Sequence, residues 1–176
     1  MHYFHTLCAL LGFITLTGCT GMPDNVTPVS PFNLDRYLGT WYEVARLDHS
    51  FEEGLTEVTA TYTMNKDGSV KVINRGFNAE TNSWKEAEGK AKFVGESDTA
   101  HLKVSFFGPF YGSYIVFYLE PDYSSALISS YNDEYFWILS RQSTLSETTL
   151  ADYKQRAQQA GFDTSKLIYP QRTVRQ

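Results

Sequence analysis

The chain has 176 residues and a formal net charge of −5, with no run of Lys or Arg anywhere along it. That length makes one domain with a real core, and the missing basic face excludes a nucleic-acid partner, which must neutralise phosphates. With 12 Tyr, 12 Phe and 3 Trp, disorder is expected only at the ends.

The two cysteines, Cys8 and Cys19, both fall in the first 19 residues, so the body cannot form an internal disulfide. Only His49 and His101 lie outside the extreme N-terminus, and no cluster has zinc-ligand spacing. Neither a metal nor an organic cofactor is expected.

Residues 7–16 form an apolar run that ends in Leu16-Thr17-Gly18-Cys19. Spanning a bilayer takes about 20 residues, so this run reads as the core of a signal peptide over residues 1–18. Leu-Thr-Gly-Cys resembles the lipobox of bacterial lipoprotein signals, although residues 1–6 carry His2 and His5 in place of Lys or Arg. The resemblance implies cleavage before Cys19, acylation of its thiol and a mature chain of 158 residues (176 − 18). Two or three acyl chains hold a protein stably on a membrane. Thr20, where the sorting rule would place an Asp for inner-membrane retention, implies the outer membrane. The alternative is an ordinary secretory signal with an incidental cysteine. Residues 19–32 read as the lipidated end and a proline-rich tether, and residues 33–176 as the domain.

The element that organises the domain is Asp35-Arg36-Tyr37-Leu38-Gly39-Thr40-Trp41-Tyr42-Glu43. A one-turn helical lead-in meets a strand at Gly39, which accepts backbone angles closed to other residues. Alternating segments then recur over 40–48, 56–65, 69–77, 84–94, 100–107, 113–120, 125–131 and 135–141, separated by turn chemistry such as Asn65-Lys66-Asp67-Gly68. The period changes after Arg141. Ser146 is an N-cap, Leu150, Tyr153, Ala157 and Ala160 form a helical stripe, and Gly161 is the stop. This predicts an all-β body, an eight-stranded antiparallel up-and-down barrel, with one C-terminal α-helix packed outside and a last short strand at 167–169.

Gly39-Thr40-Trp41, eight strands, and an arginine ending the eighth strand ahead of a helix together resemble the lipocalin family. Segments 37–43 and 104–112 are most similar to the bacterial outer-membrane lipoprotein lipocalins and their apolipoprotein D-like relatives. Only Asp122-Tyr123 survives of the family's T-D-Y turn. The resemblance implies binding of a lipid or other small hydrophobic molecule, without catalysis, in the barrel. Strand parity independently sets Trp41 beside Arg141 at the closed end, together with the turns 65–68, 95–99 and 120–124. The mouth is then built from 49–55, 78–83, 107–112 and 131–134, and the aromatic stretch 107–112 is read as touching an apolar ligand, touching lipid or, by preference, folding back as packing.

Counting by twos from Trp41 and Arg141 turns Glu43, Ala45 and Leu47 inward on the first strand, and Tyr135, Trp137 and Leu139 on the eighth. The same alternation encloses Ala87, Gly89, Ala91, Phe93, Leu102, Val104 and Phe106, and the small residues at 87, 89 and 91 predict open space. The candidate ligand contacts are therefore Glu43, Asn74, Phe93, Leu102, Val104, Phe106, Tyr135, Trp137 and Leu139. Glu43 is equally read as a structural carboxylate bonded to a tyrosine or the backbone, and the strand of Asn74 leaves its parity open. Such a lumen suits a fatty acid or lysophospholipid, and the family resemblance implies its storage or transport in envelope maintenance.

Two other readings stand beside this one. One is a structural envelope lipoprotein with a filled barrel. The other is an enzyme on the same fold, for which His49 at a loop, His101 on the wet face and the adjacent Glu52 and Glu53 are the available groups, the two glutamates being expected as solvated charge. Whether two barrels pair as a homodimer is left open.

Overall fold

A computed structural model describes residues 20–170, so the signal segment and Cys19 lie outside the described residues. A four-residue helix, α1 (Leu34–Tyr37), leads into β1 (Gly39–Leu47). The other strands are β2 (Leu55–Met64), β3 (Val70–Asn78), β4 (Ser83–Phe93), β5 (His101–Ser105), β6 (Gly112–Leu119), β7 (Ser125–Ser129) and β8 (Phe136–Ser140). Each pairs antiparallel with its neighbour in sequence, and β1 pairs with both β2 and β8. The sheet therefore closes into the expected eight-stranded barrel with no free edge at the seam. The turns alternate between two ends as strand parity requires, leaving 120–124 beside α1 at the closed end and 130–135 at the mouth.

Outside the barrel lies α2 (Glu147–Gln159), capped by Ser146, whose side chain accepts from the Thr149 N–H at 3.1 Å. Tyr153 and Ala157 are the buried part of its stripe and meet Leu127, Phe136 and Ile138. Gly161, at φ +93°, ends the helix, and Phe162 stacks on Phe136 at 4.9 Å. A two-residue strand, β9 (Leu167–Ile168), then pairs with Arg46 and Leu47 on the barrel's outside.

Three expectations are corrected. Residues 20–32, read as a plain tether, run along the outer wall as a strap. Val26 is buried, Val29 bonds Val116 and Ala100 through the backbone, and Phe32 bonds Asp98. The run carries three apolar residues, Val26, Val29 and Phe32, that find seats only once the barrel exists.

Ala45 and Leu47, counted as inward, belong to the helix-side cluster instead. Pairing with β8 slips between Glu43 and Ala45, a β-bulge that turns every later residue of β1 over. Arg46 thereby faces inward, opposite Trp137.

Nor is the smallness of Gly89 left as open space. A Cβ there would sit 2.8 Å from Cε1 of Phe106, whose ring occupies the place. Open structure begins nearer the mouth, where β5 pairs only with residues 90–93 of β4 and residues 83–88, Ala87 included, are exposed.

Candidate functional site

The closed end is built first, because it fixes where the lumen starts. Trp41 is fully buried and its indole N–H donates to the Tyr37 carbonyl at 2.8 Å. The Arg141 guanidinium lies over the indole, 3.9 Å from the ring centroid. It also donates to the carbonyls of Thr40 (2.8 Å), Arg36 (3.1 Å), Tyr37 (3.1 Å) and Leu38 (2.8 Å). One side chain thus satisfies carbonyls that the short α1 leaves without helical partners. Gly39, at φ +94°, is needed twice over, since a Cβ there would also meet the Arg141 guanidinium at 3.3 Å. The 120–124 turn joins this end: Tyr123 Oη accepts from the Asn33 N–H at 2.9 Å and the Arg36 guanidinium stacks on the Tyr123 ring at 4.0 Å.

Above Trp41 the lower lumen is solid. Tyr114 Oη bonds Tyr37 Oη at 2.7 Å and Tyr62 Oη at 2.9 Å. Burial holds all three phenols well above their ordinary range, so they stay neutral and serve as a hydrogen-bonded floor.

Over that floor the inward wall is apolar. Phe93 and Leu102 lie level with that floor at the closed end, Phe93 edge-on to Phe32 at 6.3 Å, and over it Leu139 is buried while Val104, Phe106 and Trp137 keep part of their surface accessible. Asn74 shares the inward face of β3 with the buried Val70 and Val72, which settles its parity, and its Oδ1 is buried without a hydrogen-bond partner. Tyr135 stands at the mouth, stacked on Trp137 with ring centroids 6.2 Å apart. Of the candidate ligand contacts, Phe93 and Leu102 thus belong to the closed end, while Asn74, Val104, Phe106, Trp137 and Leu139 face the space above it.

The upper lumen holds a polar cluster that strand alternation could not reveal. Arg46, 1% exposed, donates from Nη1 to Glu43 Oε1 at 2.6 Å and from Nη2 to the Glu52 carbonyl at 2.8 Å. Its Nε has no partner among the described residues. Glu43 is thus bonded to an arginine, where a tyrosine or the backbone was expected. Residues three apart on a regular strand point to opposite faces, and only the bulge brings these two together.

Glu52 corrects a second expectation. It is 6% exposed, and its Oε2 accepts from the Trp137 indole N–H at 3.0 Å, whereas Glu53 stays exposed as expected. His49 also turns in from the loop, its Nε2 3.1 Å from Glu52 Oε2 but off the line of a hydrogen bond. Phe51 covers it from outside, stacked at 3.8 Å. The guanidinium thereby pairs with one buried carboxyl, Glu43, and holds Glu52 only through its backbone carbonyl. Desolvation, followed by the Glu52 carboxylate, pushes the Glu43 carboxyl up to about 8, against the opposing pull of Arg46.

The aromatic connection 107–112 does not fold back. Phe107 is 81% exposed and Phe110 66%.

Comparison with known proteins agrees with this architecture. The family described as the lipocalin-like domain matches residues 32–172. The chain is 54% identical over 169 residues to "Outer membrane lipoprotein Blc" of Vibrio cholerae, covering 96% of each chain. It is 50% identical to the protein of the same name in Escherichia coli, over 85% of this chain and 84% of that one. Among solved structures, insecticyanin from Manduca sexta superposes with a TM-score of 0.70 at 20% identity, covering 88% of each, a likeness of fold alone. On its closed barrel, its Trp41–Arg141 plug and its match over 141 residues (32 to 172), the chain belongs to the lipocalin family.

Proposed function

We propose that this protein is an outer-membrane lipoprotein, acylated at Cys19, that binds one single-chain lipid in the upper half of its barrel. The observation that carries the binding is the inward apolar wall of Val104, Phe106 and Trp137, which stays partly accessible above a sealed tyrosine floor. A fatty acid or lysophospholipid chain would lie along that wall, with the headgroup toward the mouth and the polar groups of Arg46, Glu43 and Glu52. The Blc relatives, named as outer membrane lipoproteins, support the anchor, as does the Leu16-Thr17-Gly18-Cys19 motif. The role we propose is storage or transport of such lipids in maintenance of a stressed envelope.

Binding is favoured over catalysis by how the reactive groups are engaged. Glu43 is tied to Arg46 and Glu52 to Trp137. The Phe106 ring seated on Gly89 and the solid floor favour a second reading, a structural lipoprotein with a filled barrel.

Titrating delipidated residues 20–176 with lysophospholipid and with fatty acid, following tryptophan fluorescence, separates the two. Saturable quenching or a blue shift at micromolar lipid, lost in Trp137→Ala, supports carriage. A flat titration would put the filled barrel ahead.

A further inference from the structure

We propose that the β5–β6 connection is a membrane-contact rim, which lays the barrel mouth against the same bilayer that holds the acyl anchor. The proposal rests on acylation of Cys19. Phe107 and Phe110 are the two most exposed large apolar side chains among the described residues. The Phe110 N–H donates to the Phe107 carbonyl at 3.2 Å, so a tight turn holds both rings at the tip of one loop. Other exposed apolar residues at the opposite end, Met64 and Val94, stand singly beside separate turns. Aromatic rings favour the headgroup level of a bilayer, and Lys103, whose Nζ lies 5.3 Å from the Tyr111 ring centroid, flanks the loop with a cation suited to phosphate.

The strap decides which end of the barrel meets the membrane. Traced backwards it leaves the closed end at Phe32, bonded to Asp98, and passes Val29, bonded to Ala100 and Val116. It reaches Gly21, whose carbonyl accepts from Ser113 Oγ at 2.6 Å, and the Thr20 backbone bonds the His101 ring. The first described residues therefore lie on the β5–β6 wall, Gly21 beside Ser113 near the mouth end of β6 and Thr20 beside the ring of His101, which begins β5. Ser113 follows Phe110 by three residues, a reach of at most about 11 Å, and Cys19 precedes Gly21 by two, at most about 7 Å. The described chain thus begins on the wall that carries the aromatic tip, within reach of the mouth end. Because the anchor already confines the protein to the surface, two rings suffice to orient it. A lipid would then pass between leaflet and lumen without crossing bulk water.

The test uses the mature acylated chain in vesicles of phosphatidylethanolamine and phosphatidylglycerol. Gly108→Cys and Gly95→Cys place a nitroxide on the rim and at the closed end, and a Cβ at either position meets nothing within 4 Å. Acylation blocks the Cys19 thiol, so labelling is specific. The Gly108 label is expected to gain access to oxygen and lose access to an aqueous nickel complex, while the Gly95 label stays aqueous. Phe107→Ser with Phe110→Ser should leave vesicle flotation intact yet slow lysophospholipid transfer from vesicle to barrel, by about tenfold if both rings leave the interface.

An aqueous Gly108 label on protein that still floats and carries the acyl mass would overturn the orientation and leave the anchor standing. Shielding of that label from both probes, with a dimer in solution, would assign the rim to a second copy and overturn it too. No acyl mass and no flotation would sink the anchoring reading, and this inference with it.

Discussion

Glu43→Gln tests the buried polar cluster through the pH dependence of stability. Glu43 is held at about 8 in the folded barrel against an ordinary 4.5. Below pH 4.5 the carboxyl is protonated in both states, and the contribution to stability is fully present. Between 4.5 and about 8 the unfolded chain releases the proton while the folded one keeps it, so stability falls as pH rises; above that window the loss is complete. The separation of the two values sets a ceiling of about 5 kcal/mol, and the higher effective dielectric of real buried sites brings the expected effect nearer about 2 kcal/mol. Glutamine has no proton to lose there. The assay is urea unfolding of both proteins from pH 4 to pH 9. The midpoint of Glu43→Gln relative to the parent should rise across the window by about 1 M, given a slope of about 2 kcal/mol per M. A difference that stays flat with pH would refute the reasoning and leave Glu43 an ordinary ionised partner of Arg46.

Three further outcomes follow from the packing. Arg141→Ala removes the indole stack and four carbonyl contacts at the closed end, and should cost about 3 kcal/mol in urea unfolding. Arg141→Lys should recover little of it, since an ammonium cannot reproduce the planar fork. Tyr114→Phe strips the shared partner from the Tyr37 and Tyr62 hydroxyls and should cost about 1–3 kcal/mol, read as a lower thermal midpoint with unchanged secondary structure by circular dichroism. Gly89→Ala forces a Cβ to within 2.8 Å of the Phe106 ring and 3.0 Å of the Ser105 carbonyl, which should destabilise by about 1–3 kcal/mol. An unchanged midpoint there would mean that the Phe106 ring can move, and the lumen with it.

What was legible in the sequence were the features that depend on neighbours in the chain. Alternation along β5, the Gly39 corner, the Ser146 cap and the stripe of α2 are local, and each is where the residues put it. The Trp41–Arg141 pairing was also within reach, because parity in an up-and-down barrel brings the start of β1 to the end of β8.

Tertiary structure alone decided the rest. The bulge after Glu43 is a mismatch between two strands about 95 residues apart, and neither strand records it by itself. It sent Ala45 and Leu47 to the helix and brought Arg46 into the lumen. Glu52 reads as loop charge until the Trp137 N–H is there to receive its carboxylate, and the 20–32 strap reads as linker until a wall exists for Val26 and Val29. Alternation is set by the backbone of a single strand. Which residues share the interior is set by register between strands, and that exists only once the barrel has closed.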